Sequence, residues 1–375
     1  MNNGKSAQIQ VTFSWVYILI AGTLILLFFV GIAFNLQKSS EKQLMNDVVQ
    51  VMGSILTGAG VSEKTKNFVD TSGLVDFTLY FDCLENEYVT EFGIKDQPSR
   101  VYEPVMPVFS PREISTTKMI TWSLPYKLPF KVVDFLFVTS DNTAYYLMGN
   151  DIDFMDEFVN ATQGFRVKVL FTDSDYVDID PGDNFQIRFV DFNGNSIQEN
   201  APVPEKLNLM ADLKVTAVRF SGINMVDYFH KEGNVWKKVN AEPVKIISLG
   251  GERDAARYAA IFAEDDSIYQ CNMGKAFSRL KYLNEVYGGK NIHLGEEGAK
   301  LKELTNFYEI EHPEKQDCVG VLKGYSKNVL ATLSTHQNNV KVCLLKSGSC
   351  SDLIVSANEL KSLNNQLNQN CVTLY

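Results

Sequence analysis

The chain lacks the short motifs that mark common chemistry. It contains no Cys-x-x-Cys pair, no His-Glu-x-x-His, no Gly-x-Ser-x-Gly, no Walker-type phosphate loop and no Gly-x-Gly-x-x-Gly. These absences remove zinc ribbons, thioredoxin-like redox pairs, zincins, serine-elbow hydrolases and dinucleotide folds as readings of the sequence. Histidine is scarce. The four present, His230, His293, His312 and His336, show no ligand spacing. Basic charge is in deficit: 35 Lys and Arg stand against 45 Asp and Glu, a formal net charge of -10. Phosphate backbones demand a basic stripe, so no nucleic-acid partner is expected. The same deficit excludes a polybasic membrane patch. No internal repeat or low-complexity tract is evident, and no cofactor is expected.

What is present is an ordinary core-forming composition, 45% apolar and 21% charged, with one exceptional stretch. Trp15 to Phe34 carries no charge. A run of that length spans about 30 Å as a helix, the hydrocarbon thickness of a bilayer. Residues 11–36 are therefore expected to form a transmembrane helix contacting the lipid bilayer, with Trp15 and Tyr17 at the interface. The small-x-small triplet Gly31-Ile32-Ala33 keeps a cleaved signal peptide as the alternative. Leu44, Val48, Val51, Met52 and Ile55 then share one helical face, so an amphipathic stalk helix is expected to continue over 37–60 and stop at Gly58-Ala59-Gly60.

All six cysteines, Cys83, Cys271, Cys318, Cys343, Cys350 and Cys371, follow the apolar run. An even number without metal spacing favours disulfides, and hence a carboxyl-terminal body outside the cytoplasm of a single-pass cell-membrane protein. The expected pairing is Cys343–Cys350, Cys271–Cys318 and Cys83–Cys371. Cys350 and Cys371 flank a predicted closing helix over Asp352–Gln369 and stand too far apart to join.

The string Lys5-Ser6-Ala7-Gln8-Ile9-Gln10-Val11-Thr12-Phe13 runs straight into the apolar segment. It resembles the class III signal of archaeal type IV pilin-like proteins, in which a basic and a small residue precede Gln and the apolar helix begins at once. The resemblance implies processing between Ala7 and Gln8. Many such proteins carry Glu at the fifth mature position, where this chain has Thr12. The segment Trp15 to Gly22 also resembles uncharacterised archaeal single-pass membrane proteins.

The expected fold class is α/β: an amino-terminal transmembrane helix continuing into an amphipathic helix, then a mixed-sheet extracytoplasmic domain with packed helices. The expected division is a tail over 1–10, the spans 11–36 and 37–60, and a β-rich subdomain with a Pro-rich connection over 61–130. An α/β core over 131–290 and a Cys-containing carboxyl-terminal region over 291–375 follow. Val75–Cys83 and Tyr88–Phe92 read as paired strands, and Val132–Val138 as a buried strand. Asp151–Val159 reads as a helix with an acidic first turn. Phe165–Phe171, Phe185–Val190, Lys214–Phe220, Val244–Leu249 and Ala259–Phe262 read as further strands. Ser267–Tyr287 is the strongest soluble helix. Leu301–Phe307 is a short helix, and Val319–Leu322 and Val340–Leu345 are strand-like.

One acidic cluster invites a metal. Asp173, Asp175, Asp178, Asp180 and Asp183 could offer hard oxygen ligands to calcium, though no EF-hand glycine or closing Glu is present. A solvated acidic loop is the simpler reading. Gly250-Gly251 follows a predicted strand where a phosphate loop would sit, and a tight turn is the simpler reading there too. The leading functional reading is a membrane-anchored binding, adhesion or structural surface module without catalysis, whose partners are other surface or membrane proteins. A pilin-like subunit and an anchored hydrolase with two dispersed carboxylates are the alternatives.

Overall fold

Alternating apolar residues in the first half of the chain become strands that bury both faces. The computed structural model describes residues 46–60, 65–72, 77–192, 196–222, 224–287, 299–344, 350–371 and 375. A helix over 46–60 (α1) comes first. Eight strands follow: β1 (Lys66–Asp70), β2 (Leu79–Leu84), β3 (Val89–Ile94), β4 (Arg100–Glu103), β5 (Val108–Phe109), β6 (Glu113–Ile114), β7 (Lys118–Lys127) and β8 (Lys131–Ser140). The central part runs β9 (Thr143–Gly149), α2 (Ile152–Ala161), β10 (Arg166–Val169), α3 (Asp173–Val177), β11 (Gln186–Phe192), β12 (Val215–Phe220), β13 (Met225–Glu232), β14 (Val235–Lys238) and β15 (Val244–Lys245). The rest is helical: α4 (Ala255–Phe262), α5 (Asp266–Tyr287), α6 (Ala299–Glu311), α7 (Gln316–Leu344) and α8 (Ser351–Asn370).

The strands form three sheets. The first has the order β1-β7-β8-β5, the second β4-β3-β2-β6, and the third β10-β9-β11-β12-β13-β14, with β15 also paired to β13. In the third sheet β10, β9, β11 and β12 are parallel, whereas β13 and its partners are antiparallel. Period-two alternation decides which core each side chain enters. Phe135 and Phe137 of β8 join the main core, while Leu136 and Val138 face α1 and the second sheet. Tyr145 and Leu147 of β9 join the main core, while Ala144, Tyr146 and Met148 line the opposite face of the third sheet. Pro125 sits inside β7, but β1 pairs only with Lys118–Trp122, so the proline lies beyond that neighbour's reach. That is where a strand tolerates a residue without an N–H.

Helix α4 occupies the centre of the main core. Its Tyr258 ring lies edge-on to Trp122 of β7 at 5.0 Å and stacks on Phe158 of α2 at 5.5 Å. Burying each such ring contributes roughly 2–3 kcal/mol. The buried Arg188 of β11 closes the helix end. Its guanidinium donates to the carbonyls of Ile261 at 3.1 Å and Glu264 at 3.0 Å, and also to those of Ala260 and Ala263. A cation is favoured at this end of a helix. Burial nevertheless holds its pKa below the usual arginine value.

The structure corrects several expectations. The fold class is mixed α/β with several sheets and helices, and among the described residues no helix is long and apolar enough to cross a membrane. The long helices are interrupted by charge: α5 carries Asp266, Lys275, Arg279, Lys281 and Glu285, and α7 carries Asp317, Lys323, Lys327 and Lys341. The expected transmembrane helix over 11–36 and the Ala7–Gln8 processing pair lie outside the described residues. The single-pass membrane location is not supported, since no helix among the described residues could cross a bilayer. Ala259–Phe262 is helical, not a strand, and so are Val319–Leu322 and Val340–Leu344. Short apolar runs cannot be assigned by periodicity alone, and α4 is apolar and buried at every position except Arg257. Strands β7 and β8 pair as an antiparallel hairpin across residues 128–130.

Candidate functional site

Helix α5 has two working faces. Ile268, Cys271, Asn272 and Lys275 recur at helical spacing and point into the sheets. Cys271 is disulfide-bonded to Cys83 of β2, with Cα atoms 6.0 Å apart. Asn272 donates to the carbonyl of Ile268, and its Oδ1 accepts from the Val108 amide at 2.9 Å and the Thr90 hydroxyl at 3.0 Å. Lys275 donates to Thr90 Oγ1 and to the carbonyls of Glu103 and Met106 at 2.8 and 3.1 Å. No carboxylate completes that set, and burial pushes Lys275 down to about 7. At the start of α5, Arg112 bridges Asp82 at 2.6 Å and Asp265 at 2.7 Å. Burial opposes ionisation of Asp265, but the Arg112 guanidinium prevails and holds its carboxyl below the usual range.

With that face fixed, Tyr269, Gln270, Met273, Gly274 and Phe277 line a cleft of about 500 Å³. Three other chain segments close it. The loop and strand from Glu242 to Ile247 form one wall, Tyr88 between β2 and β3 forms another, and Cys343 and Cys350 form the third. Tyr88 is placed by its backbone, at φ +52°, and by a hydrogen bond from its hydroxyl to the Leu344 carbonyl at 3.2 Å. Its ring lies so close to α5 that a Cβ on Gly274 would meet it at 2.3 Å. Glycine within a helix costs about 1 kcal/mol relative to alanine, and this close approach gives its reason. Tyr269 is 1% exposed. Among the described residues its hydroxyl has no hydrogen-bond partner, and burial raises the phenol well above its ordinary pKa. A pocket of this size, apolar with a few polar groups, fits small-molecule or side-chain recognition.

A second, more polar cleft of about 570 Å³ lies at the start of α4 and is lined by Lys127, Gly250, Glu252, Arg253, Asp254 and Lys361. Gly250 and Gly251 adopt φ of +69° and +114°, so the pair makes the tight turn that precedes the helix. Asp254 caps α4 through the Ala256 amide at 3.0 Å and accepts from the Ser248 hydroxyl at 2.7 Å. Burial raises its pKa.

The acidic cluster does not converge. Asp175 Oδ2 accepts from the amides of Phe171 and Thr172 in its own turn. Asp178 lies 3.8 Å from Lys206, Asp180 accepts from the Gly182 amide, and Asp183 pairs with Arg166 at 2.8 Å. Asp173 opens α3. Among the described residues no group of three or more His, Cys, Asp or Glu could hold a metal ion. The cysteines pair as Cys83–Cys271, Cys318–Cys371 and Cys343–Cys350. The expected Cys271–Cys318 and Cys83–Cys371 pairs are thus exchanged, because α5 packs Cys271 on β2 and α8 returns Cys371 to α7. Cys350 and Cys371 stand at opposite ends of α8. Of the histidines, His336 is buried, and His293 lies outside the described residues.

Sequence reasoning passed over Tyr88, Tyr269 and Gly274. Only the isolated glycine inside a strong helical pattern signalled a close approach. No family model, curated protein or solved structure matches the chain.

Proposed function

We propose that the protein is a binding module rather than a catalyst, and that the cleft beside α5 receives an apolar group of a partner protein. The observation that carries this reading is the cleft itself. Four chain segments converge on it, and Met273, Phe277 and Val244 give it an apolar lining. Among the described residues one carboxylate, Glu242, lines it. A hydrolase working with two carboxylates needs a facing pair, so the lining supports binding over turnover.

The test is titration with the environment-sensitive dye anilinonaphthalene sulfonate, using the full chain and a Gln270→Trp variant. Gln270 is partly exposed at the cleft, so tryptophan there fills space without disturbing the sheet side of α5. Saturable binding lost in the variant, with an unchanged melting temperature, supports the reading. Equal binding by both proteins removes this cleft as the site.

A further inference from the structure

Two of the residues that wall the cleft are joined to each other. Cys343 lies at the end of α7, Cys350 immediately precedes α8, and both line the cavity. The environments of the two sulfurs differ. Cys343 is 7% exposed, whereas Cys350 is half-buried and holds the N-cap position of a 20-residue helix, where its own side chain makes no capping bond and Asp352 stands in the first turn. A thiolate at that position is stabilised by the helix N-terminus. Lys245, which also lines the cleft, reaches Ser351 Oγ at 3.4 Å and brings a cation to the same end. By contrast, Cys83 and Cys271 are both buried between β2 and α5. The cleft, about 500 Å³, gives this disulfide a concave approach lined by Met273 and Phe277.

We infer that the Cys343–Cys350 disulfide is a thiol–disulfide exchange site for a dithiol carried on an apolar segment of a partner chain. In the first step a substrate thiolate attacks Cys350 Sγ, the more accessible sulfur. A mixed disulfide forms and Cys343 leaves as a thiolate, which takes up the proton the substrate thiol released. In the second step the other substrate thiolate attacks the substrate sulfur of the mixed disulfide. The substrate disulfide forms, and Cys350 leaves as a thiolate at the start of α8. Two electrons pass from the substrate dithiol to the protein, so the substrate is oxidised once and Cys343 and Cys350 are reduced. The exchange is stoichiometric and needs no further oxidant. The partner's apolar flanks occupy the floor formed by Met273 and Phe277, and that substrate preference rests on the binding reading above.

The experiment treats the full, oxidised protein with two reduced dithiol peptides of matched thiol acidity. One flanks its cysteines with Phe and Leu, the other with Ser and Gly. Acid quenching, alkylation and peptide mapping then locate the reduced cysteines. The expected result is reduction of Cys343–Cys350 about tenfold faster than of either other pair, with the apolar peptide about fivefold faster than the polar one. In Cys343→Ser, Cys350 alkylation is expected to titrate below the ordinary thiol range near 8.5. Simultaneous reduction of all three pairs, reduction of Cys343–Cys350 last, or an ordinary thiol titration would overturn the exchange site. Pair-selective reduction with no preference between the peptides supports the exchange site while overturning the apolar occupant. The wild-type mapping stands even if the variant fails to fold.

Discussion

The buried His336 makes the protein's acid stability predictable. It is 0% exposed and joins three parts of the chain. Its Nε2 donates to the Leu128 carbonyl at 3.3 Å, since a carbonyl can only accept, which leaves Nδ1 to accept from the Ser356 hydroxyl at 2.8 Å. α7, α8 and the loop after β7 therefore meet on one neutral imidazole. Burial pushes its pKa down from 6.5 to about 4, against a weaker opposing effect of the Leu128 bond. Because the folded value is depressed, the unfolded chain binds the proton more readily. The contribution is fully present above about pH 6.5, declines as pH falls, and is lost below about pH 4. At about 1.4 kcal/mol per pH unit the whole loss is on the order of 3 kcal/mol. His336→Leu removes the titration. It also leaves the Leu128 carbonyl without this donor, costing about 1–3 kcal/mol at neutral pH. The two proteins should thus approach equal stability near pH 5, where the wild type has lost about 2 kcal/mol. Urea unfolding at constant ionic strength from pH 4 to 8, followed by tryptophan fluorescence, measures both curves. Subtracting them cancels carboxylates common to the two chains. A wild-type minus variant difference that stays flat between pH 4 and 6.5 would refute the assignment of a neutral, buried imidazole.

Four further outcomes are expected. Replacing Cys83 and Cys271 with Ala opens a link of sequence separation 188, against 7 for Cys343 and Cys350. Loop entropy gives costs of about 5 and about 2.5 kcal/mol, so thermal melts should rank the first double variant well below the second. Gly149→Ala places a Cβ 2.2 Å from the Phe192 carbonyl oxygen at a residue with φ +108°. It should lower stability by about 3 kcal/mol or more, read from the urea midpoint, and a neutral result would contradict the close pairing of β9 and β11. Arg188→Met removes the donors at the end of α4 and should cost about 3 kcal/mol by the same assay, with loss of helical signal. Millimolar calcium should leave the melting temperature unchanged, because Asp175, Asp178, Asp180 and Asp183 are separately engaged. A rise of several degrees would show that they assemble into a site.

The parts of the fold legible in the sequence are those where one local rule acts alone. β8 is a long apolar run. α2 begins at Asp151, whose side chain accepts from the Phe154 amide at 3.2 Å, and the expected stripe of α5 is buried at Met273, Phe277 and Leu280 though Val286 is exposed. The antiparallel pair β2 and β3 was readable from alternation and a turn. Misreadings occur where burial on all sides erases the polar face that fixes a period. Ala255–Phe262 lies against β7, β8 and α2, so its apolar residues encode their surroundings and not their secondary structure. α7 was broken into strands because Val319–Leu322 and Val340–Leu344, taken as short windows, satisfy both templates.

The cleft was hidden for a different reason. None of its lining residues is unusual where it stands in the chain. Tyr88 is a turn residue, Gly274 an expensive helix residue, and Cys343 and Cys350 two of six equivalent cysteines. Their relation arises only when α5 is fixed to the second sheet by Cys83–Cys271, Asn272 and Lys275. That attachment sets the rotation of α5, and a rotation of about 100° would carry Tyr269, Met273 and Phe277 away from Tyr88 and the Cys343–Cys350 disulfide. The bolted face of the helix therefore determines the functional one. A change at Lys275 or Asn272, on the far side of the helix, should disturb the cleft as much as a change in its lining. Lys275→Met would leave the carbonyls of Glu103 and Met106 and the Thr90 hydroxyl without their ammonium. Dye affinity at the cleft should fall together with stability in that variant. If stability fell while dye affinity held, Cys83–Cys271 and Asn272 would suffice to fix the orientation of α5 without Lys275.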